Sequence, residues 1–422
     1  MSRDTIRTQP SCADPFDADA LSVEEAARRI AADVMPISGR EEVAVREALG
    51  RIVAEDILSP IDVPAHVNSA VDGYAVRSVD LPERRTKTLA LVGTAWAGRP
   101  CREALGAGQC IRIMTGAKMP QGADTVVMQE HVERDDEVIR IGEGHRAGQN
   151  VRMAGEDLAA GQCAVTAGKK VTPAVLGLLA SLGIAAVPVT RRVRVAFFST
   201  GDELRSIGDP LGEGEVYDSN RYTLYGMLAR LGVDQLDLGV VRDTPDAIRT
   251  AFQQAAEAAD VVITTGGVSV GEADFVREIL ADLGQVTFGK IAMKPGRPLA
   301  FGRIGGSLFF GLPGNPVAVM VTFYAFVQPA LRRMMGETDT RPARFEARCL
   351  SRLRKKPGRT EFQRGSLTVD ADGRVVVSKT GAQGSGILSS MAAANCFIVL
   401  PPESGAVQPG DTVWVEPFEG IT

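Results

Sequence analysis

Two acidic residues follow a glycine turn in the segment ADVVITTGGVSVGEADFV, residues 259–276. The apolar run before the turn is typical of a buried parallel strand. Gly266 and Gly267 permit a sharp turn, and the amphipathic pattern after them predicts a helix whose N-terminus faces an anion. Glu272 and Asp274 fall in the first turn of that helix, where their charges would repel a phosphate unless a cation lay between them. The segment therefore predicts a phosphate site that also binds a metal ion.

Further charged residues lie where other strands of the same predicted sheet end. Glu203 follows the first strand in STGDEL, and Asp243 follows the second. Lys290 and Lys294 alternate with apolar residues in a predicted strand, so we expect them to share one face. Open parallel sheets bind ligands at the carboxyl ends of their strands, which gathers these residues on one rim. Mg²⁺, bound by carboxylates and substrate phosphate oxygens, would relieve a repulsion of about 4 kcal/mol between two carboxylates ~4 Å apart.

Each of these residues also has a plain structural interpretation. A carboxylate in a first helical turn complements the helix dipole, and lysines on an exposed face are normally solvated. In the segment NSAVDGYAVR, Asp72 marks a hairpin turn, while Tyr74 could contact a heterocyclic ring. Thr115 lies beside a glycine in another loop of small residues. Only the convergence of the charged groups on one rim favours a functional site.

The composition limits the class of protein. The 422 residues are 45% hydrophobic and 23% charged, which is typical of a soluble globular protein of about three domains. A net charge of −5 argues against nucleic acid as the partner. Six cysteines without a C-x-x-C pair suit a reducing cytoplasm, and three histidines are too few for a zinc site built from His and Cys. A basic cluster is interpreted as a solvated turn or a small-anion contact, and it comprises Arg352, Arg354, Lys355, Lys356 and Arg359.

Two segments are candidates for a targeting signal or a membrane-spanning helix. Residues 1–18 are polar and lack the apolar core of a secretory signal, so they are predicted to be a disordered tail. Residues 171–190 carry no charge over twenty positions, which is long enough to cross a bilayer. Gly183 divides that stretch into a helix-like half and a β-branched half. We therefore expect a buried helix followed by a buried strand, and no membrane segment.

The order of the patterns predicts a multidomain α/β protein. Strands alternate with helices from residue 191, which indicates a central doubly wound, mostly parallel sheet. Short strands separated by Gly, Pro and Asp turns precede and follow it, which indicates a small inserted β domain and a C-terminal β-barrel-like domain. The predicted division is a tail at 1–18, a segmented helical and linker domain at 19–60 and 147–190, an inserted β domain at 61–146, an α/β domain at 191–338 and a C-terminal β domain at 339–422.

From about residue 20 to its C-terminus, the chain resembles the molybdopterin molybdenumtransferase (molybdenum insertase) family, which completes molybdenum cofactor synthesis. The matching segments occur in the family's order, and such an ordered coincidence is highly specific. They are NSAVDGYAVR, RIMTGAKMPQGADTVVMQE, AGEDL, STGDEL, VYDSNRY, DVVITTGGVSVGEADFV, KIAMKPGRPLAFG, FFGLPGNPVA and EFQRGS.

This resemblance implies four domains, an elongated homodimer and a reaction that needs a divalent metal. In that reaction adenylylated molybdopterin and molybdate give molybdenum cofactor and AMP. The functional positions that it implies are Asp72, Thr115, Asp157, Glu203, Asp243, Asp274, Lys290, Lys294, Arg364 and Ser385.

Combining the residues with the resemblance gives one hypothesis for the site. Glu203 and Asp274 bind Mg²⁺, and Lys290 and Lys294 neutralise charge on the phosphates. The amides of Gly266, Gly267 and Ser269 contact a phosphate, and the candidate molybdate contacts are Lys294, Arg364 and Ser385. Two other functions stay open: an ATP-dependent molybdopterin adenylyltransferase, which the loop GGVSVG disfavours, and a non-catalytic scaffold that binds a peptide.

Overall fold

The computed structural model describes residues 20–266 and 274–418, and the predicted tail at 1–18 lies outside them. The chain divides into two compact units. One comprises the chain up to Glu41, Gly50–Ile52 and the chain from Thr190 onward, and the other comprises Glu42–Leu49 and Val53–Val189. The predicted domain boundaries remain a prediction.

The helices and strands are numbered along the described chain. The helices are α1 Val23–Asp33, α2 Pro173–Ser181, α3 Ser219–Leu231, α4 Pro245–Ala258, α5 Asp274–Leu283, α6 Pro316–Thr322, α7 Gln328–Met334 and α8 Leu388–Ala392. The strands are β1 Arg40–Ala44, β2 Ile57–Leu58, β3 Asn68–Ser69, β4 Gly73–Val76, β5 Lys87–Ala95, β6 Gln109–Ile113, β7 Thr125–Met128, β8 Val132–Asp135, β9 Val138–Ile141, β10 Val151–Arg152, β11 Cys163–Val165, β12 Ala186–Thr190, β13 Arg194–Thr200, β14 Leu204–Arg205, β15 Val216–Tyr217, β16 Asp234–Val241, β17 Val261–Thr265, β18 Gly284–Lys290, β19 Met293–Lys294, β20 Pro298–Ile304, β21 Ser307–Leu312, β22 Phe345–Cys349, β23 Thr360–Val369, β24 Val375–Lys379, β25 Cys396–Leu400 and β26 Thr412–Pro417.

The first unit is built on a six-stranded sheet in the order β16-β13-β17-β21-β20-β18. The four strands from β16 to β21 are parallel, and β20 and β18 are antiparallel additions. Successive residues of β13 point to opposite faces. Phe197 packs with residues of α1, α3 and α6, whereas Phe198 packs with residues of α4 and α5. The sheet is therefore covered by helices on both faces, as the sequence predicts.

The C-terminal part of this unit is a closed barrel. Strand β23 pairs with both β24 and β25, and the ring closes through β22 and β26. In the other unit, the six strands β7-β4-β6-β5-β9-β8 form a curled sheet. Short antiparallel pairs, β2 with β11 and β3 with β10, precede and follow it in that unit. These sheets confirm the predicted fold class, a multidomain α/β protein with an inserted β domain and a C-terminal barrel.

Two helical segments show how local chemistry sets helix ends and irregularities. Ser22 accepts a hydrogen bond from the Glu25 amide at 3.0 Å, as a capping box requires, but the Glu25 carboxylate accepts from Arg28 and Arg29 instead of closing the box. The helical segment that begins at Pro316 consists of α6 and α7, separated by a π-helical turn at Phe323–Val327. Pro329 lies just after that turn and cannot donate a backbone hydrogen bond, which favours irregular pairing there.

The uncharged stretch at 171–190 forms a helix and then a strand, α2 and β12, as expected. The expected burial of the helix is wrong: Leu179 is its one buried residue. The small residues of α2 face outward, and the helix face that carries Leu179 packs against Val187 and Val189. None of the described helices combines the length and apolar character that crossing a membrane needs.

Candidate active site

Three strand ends meet at the carboxyl edge of the α/β sheet. Gly266 follows β17 with a φ of +83°, and a Cβ there would lie 2.5 Å from the Thr200 carbonyl oxygen at the end of β13. A Cβ on Gly314, after β21, would lie 3.9 Å from the Gly266 Cα. Below them, the hydroxyl oxygens of Ser199 and Thr265 are 2.9 Å apart. Only glycine fits this crowded turn, which leaves bare backbone at the middle of the edge.

The acidic residues of the edge lie on the β13 and β16 side. Gly201 has a φ of +149°, and a Cβ on this residue would lie 2.6 Å from Glu203 Oε2. The exposed Glu203 carboxylate therefore folds back over the end of β13. Asp202 Oδ1 accepts a hydrogen bond from the Asp243 amide at 3.3 Å. This contact joins the loops after β13 and β16. It places Asp202 and Asp243 next to each other at the β13 and β16 side of the edge, where Glu203 also lies.

The sequence analysis missed two polar residues at the start of α3. Asp218, 1% exposed, accepts hydrogen bonds from the Arg221 amide and guanidinium at 3.1 and 3.3 Å. Asn220 is 8% exposed, and its Nδ2 donates to the Gly314 carbonyl at 2.7 Å. An aspartate just before a helical pattern, as in VYDSNRY, is an N-cap signal that could have identified Asp218. No local signal could have paired Asn220 with Gly314.

The two lysines do not share a strand, which corrects the expectation that they lie on one face. Lys290 is the last residue of β18, which runs parallel to β21 because both pair antiparallel with β20. Lys290 therefore lies at the same carboxyl edge as Gly266. The chain then turns, with the Ile291 amide donating to the Arg297 carbonyl at 2.8 Å. Lys294 belongs to β19, which pairs with β23 of the barrel.

The charged residues are thus spread along the edge rather than gathered at one point. From β13 to β18 there are four strand spacings of about 4.8 Å, or about 19 Å. The carboxylates occupy one end, the glycine turns the middle and Lys290 the other end. Such a row fits an extended anionic ligand better than a compact one.

Arg364 lies inside the barrel region and not on an open surface. It is 1% exposed, and burial lowers its pKa to about 10, so it stays charged at neutral pH. Its guanidinium donates to the carbonyls of Ala382, Gln383 and Gly384 at 2.9 to 3.1 Å and to Ser390 Oγ at 3.1 Å. The next residue in this loop, Ser385, accepts a backbone hydrogen bond from Val317 at 3.0 Å. Arg364 therefore shapes the loop that carries Ser385.

Several predicted residues cannot be placed. Gly267 and Ser269 lie outside the described residues, and so does Glu272. Asp274 begins α5, but its side chain is also outside the described part. Over residues 20–266 and 274–418, no three His, Cys, Asp or Glu side chains form a group that could bind a metal ion. The predicted pair of metal ligands, Glu203 and Asp274, remains a prediction.

In the other unit, the structure brings Asp72 and Thr115 together. Asp72 Oδ1 accepts hydrogen bonds from the Thr115 amide and hydroxyl, each at 2.7 Å. The backbone N–H, followed by the hydroxyl, lowers the pKa of Asp72 below its usual value. Tyr74 is 3% exposed and packs in the core, so the interpretation of its ring as a ligand contact is wrong. Asp157 is exposed, and its amide donates to the Val63 carbonyl at 2.9 Å.

Known protein families match this arrangement over most of the chain. Residues 21–183 match the MoeA N-terminal region (domain I and II), 196–333 a probable molybdopterin binding domain, and 346–418 the MoeA C-terminal region (domain IV). A molybdopterin molybdenumtransferase of Haemophilus influenzae is 45% identical over 90% of this chain and 94% of its own length. That of Bacillus subtilis is 36% identical over 94% of this chain and 93% of its own length.

Solved structures agree with these sequence matches. A molybdopterin biosynthesis MoeA protein from Pyrococcus horikoshii OT3 superimposes with a TM-score of 0.83 at 30% identity, covering 94% of this chain and all of that one. The fold is that of a multidomain α/β protein with acidic residues, glycine turns and Lys290 along the carboxyl edge of its central sheet, and the matched relatives define a transferase. The chain belongs to the molybdopterin molybdenumtransferase family and is a transferase of molybdenum cofactor biosynthesis.

Proposed function

We propose that this protein inserts molybdenum from molybdate into adenylylated molybdopterin and releases AMP, which is the last step of molybdenum cofactor biosynthesis. Family membership supports the insertion step. The observation that carries the finer proposal is the row of charge along the sheet edge. Carboxylates at one end, glycine backbone in the middle and Lys290 at the other end, with Lys294 on the short strand that follows, suit a substrate with a diphosphate and a second anion.

The acidic end of the row is proposed to bind Mg²⁺. Glu203 presents an exposed carboxylate beside Gly201, and Asp274 is proposed as the second ligand. Oxygen donors of this kind fit Mg²⁺, which prefers one or two carboxylates together with substrate phosphates. When bound, Mg²⁺ would neutralise phosphate charge and favour loss of the leaving phosphate. Asp243, tied to Asp202 through its amide, is proposed to fix the neighbouring loop.

The middle and the basic end are proposed to bind the anions themselves. The backbone of Gly266, with the amides of Gly267 and Ser269, would contact a phosphate at the start of α5. Lys290 would neutralise charge that develops on the phosphoryl oxygens during cleavage of the anhydride. Lys294 is proposed to contact molybdate, a tetrahedral dianion, together with Ser385.

Arg364 is proposed to act on the molybdate site through the loop that it organises. Four of the five guanidinium hydrogens are donated, three to the carbonyls of residues 382–384 and one to Ser390 Oγ. A guanidinium so engaged holds Ser385 in place rather than binding the anion directly. Asp72, Thr115 and Asp157 are proposed functional positions on the strength of the motif match.

We further propose that the protein works as a homodimer in the cytoplasm. The resemblance of the whole chain to its family supports the dimer. The reducing compartment is supported by the free thiols of Cys101, Cys110, Cys163, Cys349 and Cys396.

The decisive experiment incubates the pure chain with adenylylated molybdopterin, Mg²⁺ and molybdate, and measures AMP and active cofactor together. The proposal expects both products to appear only when molybdate is present. Asp274→Asn should keep the fold and stop AMP release. Asp246→Asn is the matched control, because Asp246 is an exposed acid in the first turn of α4.

The other outcomes separate the competing functions. Full turnover by Asp274→Asn would remove Asp274 from the mechanism. Adenylylation of free molybdopterin with ATP would instead favour an adenylyltransferase. Tight binding of a peptide without molybdate-dependent AMP release would favour a non-catalytic scaffold.

A further inference from the structure

Strand β19 carries Lys294 from the α/β sheet onto the C-terminal barrel. Its two residues pair in parallel with β23, with Met293 opposite Thr360 and Lys294 opposite Glu361. The Thr360 amide also donates to the Ala292 carbonyl at 2.9 Å. Partner residues in a parallel pair project to the same face, so the two side chains emerge beside each other. Their charged atoms, Lys294 Nζ and Glu361 Oε1, are 3.6 Å apart.

The two members of this pair have opposite environments. Glu361 is 6% exposed, whereas the Lys294 side chain is 54% exposed. The second oxygen of Glu361 accepts a hydrogen bond from Gln363 Nε2 at 3.1 Å, and the same Nε2 donates to the Arg354 carbonyl at 3.0 Å. A carboxylate anchored in this way is fixed, while a lysine stem is flexible. Glu361 is therefore the fixed partner that restricts Lys294.

Other charges surround the pair on the barrel side. Lys355, expected from the sequence to lie in a solvated turn, is 7% exposed and donates to the carbonyls of Lys356 and Ser404 at 2.9 and 3.4 Å. Burial lowers its pKa, and the charges of Glu361, Glu403, Lys294 and Arg359 all act on it. Glu361 is thus a buried anion among cations, and its removal would leave them to repel one another.

We propose that Glu361 is a positioning residue that holds the Lys294 ammonium ready for the anionic substrate. A separation of 3.6 Å is too long for a strong hydrogen bond, so the tether is electrostatic and the ammonium protons stay available to a ligand. Restricting a flexible side chain before binding removes part of the ordering cost that binding otherwise carries. The proposal rests on the proposed function, in which Lys294 contacts molybdate.

A double-mutant cycle tests the pair. Glu361→Gln keeps the size of the side chain and removes its charge, and we expect it to raise KM for molybdate about tenfold with a smaller change in kcat. Glu361→Asp keeps the charge and should recover most of the loss. In a Lys294→Met background, Glu361→Gln should have no further effect. Glu346→Gln is the matched control, because Glu346 is an exposed residue on β22 of the same barrel.

Two results would overturn the proposal. One is a double variant whose loss equals the product of the two single losses, and the other is a normal KM in Glu361→Gln when Lys294→Met is impaired. Full activity of Lys294→Met would count instead against the proposed role of that lysine in the reaction. NMR of protein labelled with ¹³C-lysine tests the tether without substrate. The Lys294 side chain should become more mobile in Glu361→Gln and not in Glu346→Gln. Equal mobility of Lys294 in the two variants would contradict the inference.

Discussion

Asn220 donates a hydrogen bond from its side-chain nitrogen to the Gly314 carbonyl over 2.7 Å, which joins the first turn of α3 to the loop after β21. The residue is 8% exposed, and its side-chain oxygen has no hydrogen-bond partner among the residues that the structure describes. Only the donor half of the amide is therefore used. Because Gly314 adjoins Gly266, this contact supports the middle of the charged edge.

Replacing Asn220 by Asp should destabilise the protein by roughly 3 kcal/mol, because a buried donor becomes an acceptor that faces a carbonyl oxygen. Urea unfolding measures this loss. Asn315→Asp is the matched control, since Asn315 is the exposed N-cap of α6 and its side chain caps nothing. Equal stability of the two variants would show that the Asn220 contact contributes nothing.

Gly266→Ala should lose both stability and AMP release. The new Cβ would lie 2.5 Å from the Thr200 carbonyl oxygen, so the turn at the strand ends must open. Gly214→Ala has the same φ of +83° but nothing within 4 Å of its Cβ. Gly214→Ala should therefore cost about 1 kcal/mol, the strain of a positive φ alone. Gly266→Ala should reduce the free energy of unfolding by roughly 1 to 3 kcal/mol more than Gly214→Ala, because its Cβ overpacks the turn. Equal losses of stability in the two variants would refute this steric explanation.

The sequence predicts the α/β fold well because its signals are local. The runs that form β13 and β17 are apolar on both faces and bounded by turns, and Pro245 and Pro316 mark helix starts. The positions of Glu203 and Asp243 follow from the same signals, because parallel strands end at one edge. The edge itself could therefore be predicted from residue order.

Contacts between distant segments could not be predicted in this way. Lys294 and Glu361 meet because β19 leaves the sheet and joins the barrel, and no local pattern encodes that pairing. Arg364 of EFQRGS is expected to contact molybdate, yet the loop after β24 covers it completely. Tertiary packing decides both cases, since it determines which polar groups lose their water.

Arg364→Met should destabilise the protein by roughly 3 to 5 kcal/mol, because it leaves three loop carbonyls and a serine hydroxyl without their buried donor. Arg364→Lys should recover only part of this, since an ammonium lacks the planar fork. Hydrogen exchange at the Val317 amide, which donates to the Ser385 carbonyl, reports the loop directly.

That amide should exchange faster in both Arg364 variants than in wild type. Arg348→Met is the matched control, because Arg348 is an exposed arginine on β22 of the same barrel. Protection of Val317 that survives in Arg364→Met would mean that the loop keeps its shape without the guanidinium.

Thr115→Val should move the titration of Asp72 toward its usual pKa. The Thr115 amide and hydroxyl hold that pKa below its ordinary value of 3.8, and the valine removes the hydroxyl donor while keeping the amide. A depressed carboxyl pKa stabilises the folded state above the unfolded pKa, and this contribution is lost as pH falls through the folded pKa. In Thr115→Val the folded-state pKa lies closer to the unfolded value, so the contribution should be smaller and its loss complete at a higher pH. A ¹³C NMR titration of the carboxylates measures the shift, with Asp124 as internal reference because hydrogen bonds from Ser78 and Thr125, not from Thr115, lower its pKa. An unchanged Asp72 midpoint would mean that the backbone amide alone sets its pKa.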